Sequence, residues 1–188
     1  MTTSLDPNAA LILIDIQDGF DDPSLGSRNN PDAERNAARL LAAWRLEGRP
    51  LVHIQHHSVN PNSPLWPEKP GVAIKSIVAP RDGEPLMTKT VNNAFVGTGL
   101  EGFLRERQIR QVVIVGLTSN HCVDTTTRMA GDLGFNPILV SDASATFDRT
   151  GPDGVTWPAE TVHAVTMANL LDEFAQIAMT DDILRRMG

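Results

Sequence analysis

The sequence predicts an α/β protein: a three-layer α/β/α sandwich around a mostly parallel sheet of about six strands. Short apolar segments alternate with amphipathic segments of helical period along the whole chain. The apolar segments are continuous, which is typical of strands covered by helices on both faces. No repeat, low-complexity tract or break in composition divides the 188 residues. We therefore expect a single domain over residues 1–188.

The first elements have clear limits in the sequence. AALILID (9–15) is a continuous apolar run ending in Asp, which predicts the first strand. The following segment predicts a helix with Asn30 as its cap, Pro31 in its first turn and Gly48 as its end. RPLVHIQHH (49–57) predicts the second strand, and a long proline-rich loop comes after it.

Strands and helices continue to alternate in the second half of the chain. The predicted elements are a strand at 84–89, a helix at 100–109, a strand at 111–117, a helix at 119–134, a strand at 136–143, a helix at 158–174 and a last strand at 176–180. Ligands bind beyond the carboxyl ends of strands in such sheets, so we look for chemistry just after each apolar run.

Composition excludes several classes of partner. The formal net charge of −7 argues against nucleic acid and anionic membranes, which both demand a basic surface. A single cysteine cannot form an internal disulfide, and no basic segment precedes the short apolar run near the N-terminus. We expect a cytoplasmic protein whose partner is a small-molecule substrate.

Three reactive side chains stand where predicted strands end. Asp15 closes the first strand, Lys89 ends the third, and Cys122 opens the helix after the fourth. A helix N-terminus and a neighbouring lysine both lower a thiol pKa, so the sequence predicts a thiolate at Cys122. Asp15 could accept the thiol proton and return it to a leaving amine, while the peptide N–H groups of Thr118 and Cys122 stabilise an oxyanion. Taken singly, each side chain has a simpler alternative: a turn cap for Asp15, a solvated charge for Lys89 and a small buried hydrophobe for Cys122.

Three segments carry a family resemblance, in this order: LILIDIQDGF, KTVNNAF and VIVGLTSNHCVDTTTRMAGDLGF. Together they resemble the isochorismatase-like cysteine hydrolases, with a Rossmann-like sheet, over nearly the whole chain. The resemblance implies a catalytic triad of Asp15, Lys89 and Cys122, and an oxyanion hole at Thr118 and Cys122. It also implies a cis peptide between Leu117 and Thr118, and a homodimer or homotetramer.

The presence of Cys122 narrows the reaction. Enzymes of this fold that cleave the vinyl ether of isochorismate lack the cysteine and use acid chemistry. We therefore expect hydrolysis of a C–N bond in a small amide, lactam or carbamoyl compound, through a thioester and without a cofactor. Two alternatives stay open: a metal-dependent nicotinamidase-type amidase, and a non-catalytic relative that binds ligands or senses redox state.

A histidine cluster bears on the metal alternative. His53, His56 and His57 lie within five residues, but the Asp-x-His motif of nicotinamidases is not present there. Neighbouring strand residues point to opposite faces, so His56 and His57 cannot both bind one ion within the strand. We expect no bound metal, with His53 in the core and His56 or His57 at the pocket mouth.

The remaining expectations concern the pocket and its surroundings. The candidate substrate contacts are Gln17, Phe20, His56, Trp66, Asn93 and Phe95. Asp142 and Asp148 are expected as turn or cap residues. For His163 the sequence leaves two roles open, a core histidine or a subunit contact.

Overall fold

The computed structural model describes residues 4–187. Its strands are β1 (Ala10–Ile14), β2 (Leu51–His56), β3 (Leu86–Lys89), β4 (Gln111–Leu117), β5 (Asn136–Ala145), β6 (Arg149–Thr150), β7 (Thr156–Trp157) and β8 (Gln176–Ala178). Its α-helices are α1 (Ala33–Glu47), α2 (Leu100–Glu106), α3 (Asp124–Asp132), α4 (Ala159–Leu170) and α5 (Thr180–Met187).

Six of the strands form one sheet in the order β3-β2-β1-β4-β5-β8. Every pairing in it is parallel, and β6 and β7 form a separate antiparallel hairpin. Alternate residues of β1 are buried on opposite faces: Leu11 and Leu13 belong to one apolar cluster, Ile12 and Ile14 to another. The first cluster includes α1 and α5, and the second includes α2, α3 and α4. The predicted three-layer α/β/α fold is confirmed.

Strand order reverses direction between β1 and β4. The chain runs outward from β1 through β2 to β3, and then returns to the other side of β1 with β4. The crevice at such a switch point is the usual ligand site of a parallel sheet. Asp15 follows β1 and Cys122 follows β4, so both residues lie at this crevice.

One glycine permits the close contact between these two strands. Gly116 has a φ of 131°, and a Cβ placed there would lie 2.0 Å from the carbonyl oxygen of Ile14. No other residue type fits this position without moving a strand. The contact holds the end of β4 against the end of β1.

The structure corrects several predicted element limits. Helix α1 begins at Ala33 with Asp32 in the cap position, because the Asn30 amide instead donates hydrogen bonds to the carbonyl oxygens of Ser141 and Ser144. Cys122 does not open an α-helix. It lies in a π-helical turn, Ser119–Val123, that precedes α3. Strand β5 runs on to Ala145, beyond the predicted end at 143.

The C-terminal part also differs from the prediction. Helix α4 ends at Leu170 rather than 174, and the chain turns at Asp172, which has a φ of 63°. Helix α5 was not predicted. Asp142 accepts hydrogen bonds from the N–H and hydroxyl of Thr180 at its start, and Asp148 accepts one from the N–H of Ala159 at the start of α4. Both aspartates therefore act as the expected helix caps.

None of the helices within residues 4–187 combines the length and apolar content needed to cross a membrane.

Candidate active site

A cavity of about 200 Å³ opens at the carboxyl ends of β1 and β4. Both polar and apolar side chains line it. Its lining residues are Asp15, Phe20, Leu25, His56, Leu65, Asn92, Thr118, His121, Cys122, Thr146, Phe147 and Arg149. A cavity of this size suits a small metabolite. A larger cleft of about 560 Å³ lies before β2 and β3, at the amino ends of the strands, and its lining holds no nucleophile.

Asp15 and Lys89 form a fully buried ion pair at the base of the cavity. The Nζ of Lys89 donates a hydrogen bond of 2.6 Å to Oδ2 of Asp15. The other carboxylate oxygen, Oδ1, has no hydrogen-bond partner among the described residues. Asp15 has a φ of 51°, a left-handed conformation that is uncommon outside glycine and is often found at functional sites.

Cys122 brings a buried thiol to the same place. Its side chain is 8% exposed, and Sγ donates a weak hydrogen bond of 3.8 Å to Oδ1 of Asn92. Single atoms of Asp15, His56 and Cys122 all lie within 4.8 Å of one another. The structure thus brings together the three predicted catalytic residues, although they come from three separate strand ends.

The predicted thiolate is not the resting form of Cys122. Burial, and after it the charge of the nearby Asp15 carboxylate, raises the pKa of the thiol to about 12, with Lys89 acting in the opposite direction. Sequence reasoning counted the lysine but not the loss of hydration, which is the larger effect here. Cys122 is therefore a thiol in the free protein. It needs a base at the moment of attack.

Asp15 has the properties of that base. Burial raises the pKa of its carboxyl group from 3.8 to about 6, and the Lys89 ammonium limits the rise. A carboxylate with such a pKa is ionised at neutral pH yet accepts a proton more readily than an ordinary aspartate. Its free oxygen Oδ1 is the atom available to do so.

The His56 ring contacts Lys89 and forms no hydrogen bond with the rings of His53 and His57. Its Nδ1 is 3.2 Å from Nζ of Lys89, and burial lowers the pKa of the imidazole to about 4, so the neutral ring accepts a hydrogen bond from the ammonium. His53 is buried in contact with Glu84, with 3.1 Å between Nε2 and Oε2. His57 contacts Gln55. The three histidines do not converge on a common point.

The donor set was also tested against a metal ion. Asp15, His56 and Cys122 are the candidate ligands among the described residues. The ammonium of Lys89 already bonds to Oδ2 of Asp15 and Nδ1 of His56. A metal ion bound to these residues would lie beside the buried ammonium, whose positive charge repels it, so the donor set does not fit a resident metal while Lys89 is in place.

Two of the candidate substrate contacts line the cavity and four do not. Phe20 lies in the wall, stacked on Phe147 with 6.2 Å between ring centroids, and His56 also lines it. The Gln17 amide is instead used up by backbone groups: it bonds to the N–H and carbonyl of His56 and to the carbonyl of Val72.

The other three candidates point elsewhere. Asn93 bonds to the N–H of Phe95 and the carbonyl of Thr125, and Phe95 stacks on Phe135 within the apolar core. Trp66 lies outside the cavity lining, where its neighbour Leu65 takes the place expected for it. In the same way Asn92, rather than Asn93, faces the thiol.

Sequence reasoning missed the cationic side of the cavity. Arg149 comes from the β6–β7 hairpin, and its Nη2 lies 2.7 Å from Nε2 and 3.0 Å from Nδ1 of His121. Burial, and then the charge of Arg149, lowers the pKa of His121, so the ring is neutral and accepts a hydrogen bond. Within residues 4–187 the guanidinium forms no ion pair with a carboxylate. The sequence around Arg149 gave no signal of this role, because Asp148 precedes it directly and the pairing of β6 with β7 that places it follows no apolar pattern.

The peptide bond between Leu117 and Thr118 is cis. The carbonyl of Thr118 accepts hydrogen bonds from the N–H groups of His121 and Val123, which closes the π-helical turn around Cys122. Thr118 and Cys122 both line the cavity.

A parallel α/β sandwich with a polar cavity at its switch point is a fold that many enzymes use. The isochorismatase domain model matches residues 9–181, and the chain belongs to the isochorismatase family. It is 47% identical to the isochorismatase family protein YrdC of Bacillus subtilis, over 96% of each chain.

Two further comparisons agree with this assignment. The fold matches the crystal structure of an isochorismatase-family protein from Chromobacterium violaceum with a TM-score of 0.94 and 44% identity, over 99% of this chain and 98% of that one. The chain is also 26% identical to the ureidoacrylate amidohydrolase RutB of Variovorax paradoxus, over 73% of this chain and 68% of that one. The family is thus hydrolytic and includes amidohydrolases.

Proposed function

We propose that this protein hydrolyses a C–N bond of a small amide, lactam or carbamoyl compound through a thioester on Cys122. One observation carries the proposal: the Cys122 thiol lines the same cavity as Asp15, which is paired with Lys89, and Oδ1 of Asp15 has no hydrogen-bond partner among the described residues. A nucleophile, a base and a balancing charge are the parts that acyl transfer to cysteine requires.

The acylation half-reaction begins with attack. Sγ of Cys122 bonds to the carbonyl carbon while Oδ1 of Asp15 takes the thiol proton. The N–H groups of Thr118 and Cys122 hold the developing oxyanion, since both residues line the cavity around the thiol. Asp15 then gives its proton to the nitrogen, the C–N bond breaks, and the amine or ammonia leaves.

Deacylation repeats the sequence with water. Asp15 is again a carboxylate and takes a proton from the water that attacks the thioester. The C–S bond breaks, the carboxylic acid is released, and Asp15 returns the proton to sulfur. Throughout the cycle Lys89 stays protonated and balances a negative charge that moves between Asp15 and the reacting atoms.

The cavity also favours one class of amide. Arg149 is a lining cation without a carboxylate partner among residues 4–187, and its guanidinium can bind a carboxylate through two parallel hydrogen bonds. Phe20, Leu25 and Phe147 form an apolar wall on a cavity of about 200 Å³. These features fit a compact amide or carbamoyl compound that carries a carboxylate.

A paired substrate panel tests the proposal. Each carboxylate-bearing amide, lactam or carbamoyl compound is offered beside its neutral ester or amide analogue, to the parent and to Cys122→Ala. We expect turnover of carboxylate-bearing compounds by the parent and none by the variant. Turnover that survives in Cys122→Ala at the parent rate would falsify the mechanism.

The two alternatives predict other results. A metal-dependent amidase would lose turnover with a chelator and regain it with added metal, whereas the proposed mechanism is indifferent to both. A redox-sensing relative needs a thiol that reacts without substrate, and the raised pKa of Cys122 opposes this, whereas a purely binding relative has no such need. Such a protein would bind members of the panel without converting them.

A further inference from the structure

A buried histidine outside the cavity joins two serine hydroxyls behind the nucleophile. His163, on α4, places Nδ1 2.8 Å from Oγ of Ser119 and Nε2 2.9 Å from Oγ of Ser141. His163 is 7% exposed and Ser119 is fully buried. His163 is thus a core histidine within this chain, one of the two roles that the sequence left open. The catalytic cycle described above makes no use of it.

Both ring nitrogens of His163 form hydrogen bonds while the imidazole ring is neutral. Burial lowers the pKa of the imidazole, so the ring is neutral, with one nitrogen donating and the other accepting. A serine hydroxyl can do either, so the two contacts satisfy the whole ring. An arrangement with every polar atom satisfied holds its members in fixed positions.

The two serines belong to elements that need to be held together. Ser119 is the first residue of the π-helical turn that carries Cys122. Ser141 lies in β5 where its pairing with β4 is interrupted, between the pairs Ile114–Leu139 and Gly116–Ser144. Regular hydrogen bonding between β4 and β5 therefore does not fix the backbone of β5 around Ser141. The His163 ring spans the gap and connects the turn to both β5 and α4.

We infer that His163 is a positioning residue for the nucleophile turn: through Ser119 it keeps the Cys122 thiol and the N–H groups of Thr118 and Cys122 aimed at the substrate carbonyl. This inference rests on the proposed function. His163 touches no reacting atom, and its influence passes through the Ser119 hydroxyl. Displacing a catalytic group by about 1 Å is enough to cost about 100-fold in rate.

The ring geometry supplies a matched pair of variants. The side-chain amide of Asn reaches about as far as Nδ1 of histidine, and that of Gln about as far as Nε2. His163→Asn therefore keeps a partner for Ser119 and loses Ser141, while His163→Gln does the reverse. Both variants lose one buried contact, so both should lose similar thermal stability.

The two variants should differ in turnover. We expect His163→Gln to lower kcat by about 10- to 100-fold with little change in KM, and His163→Asn to lose clearly less. Ser119→Ala should resemble the Gln variant, and Ser141→Ala should stay close to the parent. The serine pair gives the same comparison if either histidine variant fails to fold.

Equal kcat losses in the Asn and Gln variants, or in the two serine variants, would overturn the inference, because a purely structural contact has no preferred side. A larger loss in the Asn variant would overturn it as well. Trapping the acyl-enzyme of the parent in the same experiment distinguishes a failure of this inference from a failure of the proposed function. A parent that turns over without any Cys122 adduct, with turnover kept in Cys122→Ala, contradicts the proposed function itself.

Discussion

Lys89 donates a 2.6 Å hydrogen bond to Oδ2 of Asp15, and neither side chain is exposed to solvent. Burying two charges costs more hydration energy than their attraction usually returns, so such a pair is weak evidence for stability. Here the pair leaves Oδ1 of Asp15 without a partner beside the Cys122 thiol. The arrangement makes sense as a proton acceptor held ready with its counter-charge in place.

Turnover is expected to fall as the pH drops through about 6. Burial raises the pKa of Asp15 to about 6, and only the ionised carboxylate can accept the thiol proton. Activity is therefore present above this pKa and lost below it. A profile of kcat/KM between about pH 5 and about pH 8 measures this loss of activity at low pH. A flat profile across that range would rule out Asp15 as the base, and Asp15→Asn should be inactive throughout.

Cys122 of the free protein should react slowly with iodoacetamide at pH 7, because burial and the Asp15 carboxylate raise its pKa to about 12. Asp15→Asn removes a negative charge and should speed alkylation, whereas Lys89→Met removes the stabilising cation and should slow it. The measurement is the alkylation rate at fixed pH, with free cysteine as reference. A parent thiol that reacts as fast as free cysteine would show that a thiolate is already present.

Arg149→Gln should raise KM for carboxylate-bearing amides by about 10- to 100-fold, since a hydrogen bond to a charged group contributes about 1.5–3 kcal/mol. Neutral analogues should be little affected. Arg128→Gln is the control, because Arg128 pairs with Asp124 and does not line the cavity. Equal losses for charged and neutral substrates would show that Arg149 supports the structure of the hairpin and does not bind a carboxylate.

Gly116→Ala should destabilise the fold by about 3 kcal/mol or more. Its new Cβ would meet the carbonyl oxygen of Ile14 at 2.0 Å, in a backbone conformation that side chains rarely adopt. Gly99→Ala is the matched control, since a Cβ there has no neighbour within 4 Å. Chemical denaturation of both variants gives the free energies of unfolding. Similar free energies of unfolding in the two variants would mean that β1 and β4 can move apart to admit the new Cβ without loss of stability.

Much of the fold and the centre of the site follow from sequence pattern. Asp15 follows β1, Lys89 ends β3 and Cys122 lies in the turn after β4, and a parallel sheet gathers such strand ends at one edge. Helix α5 escaped prediction because it has only eight residues, and its start is capped by Asp142 from β5. A cap supplied by a distant segment leaves no local signal.

The wall of the cavity could not be placed from the sequence. Irregular loops have no periodicity that indicates which of two neighbouring side chains points inward. The sequence therefore favoured Asn93 and Trp66, whereas Asn92 and Leu65 line the cavity. The prediction of a thiolate at Cys122 was wrong for a different reason. The largest cause of the raised thiol pKa is burial, a property of the packed chain that the residues near Cys122 in the sequence do not reveal.

Mass analysis of the protein during turnover tests the central claim most directly. A substrate from the panel is mixed with the parent, quenched in acid within the first turnovers, and the digested protein is mapped. We predict an added mass equal to the acyl group of the substrate on the peptide that contains Cys122, and neither adduct nor turnover in Cys122→Ala. Sustained hydrolysis without an adduct on Cys122, kept at the parent rate in Cys122→Ala, would contradict it.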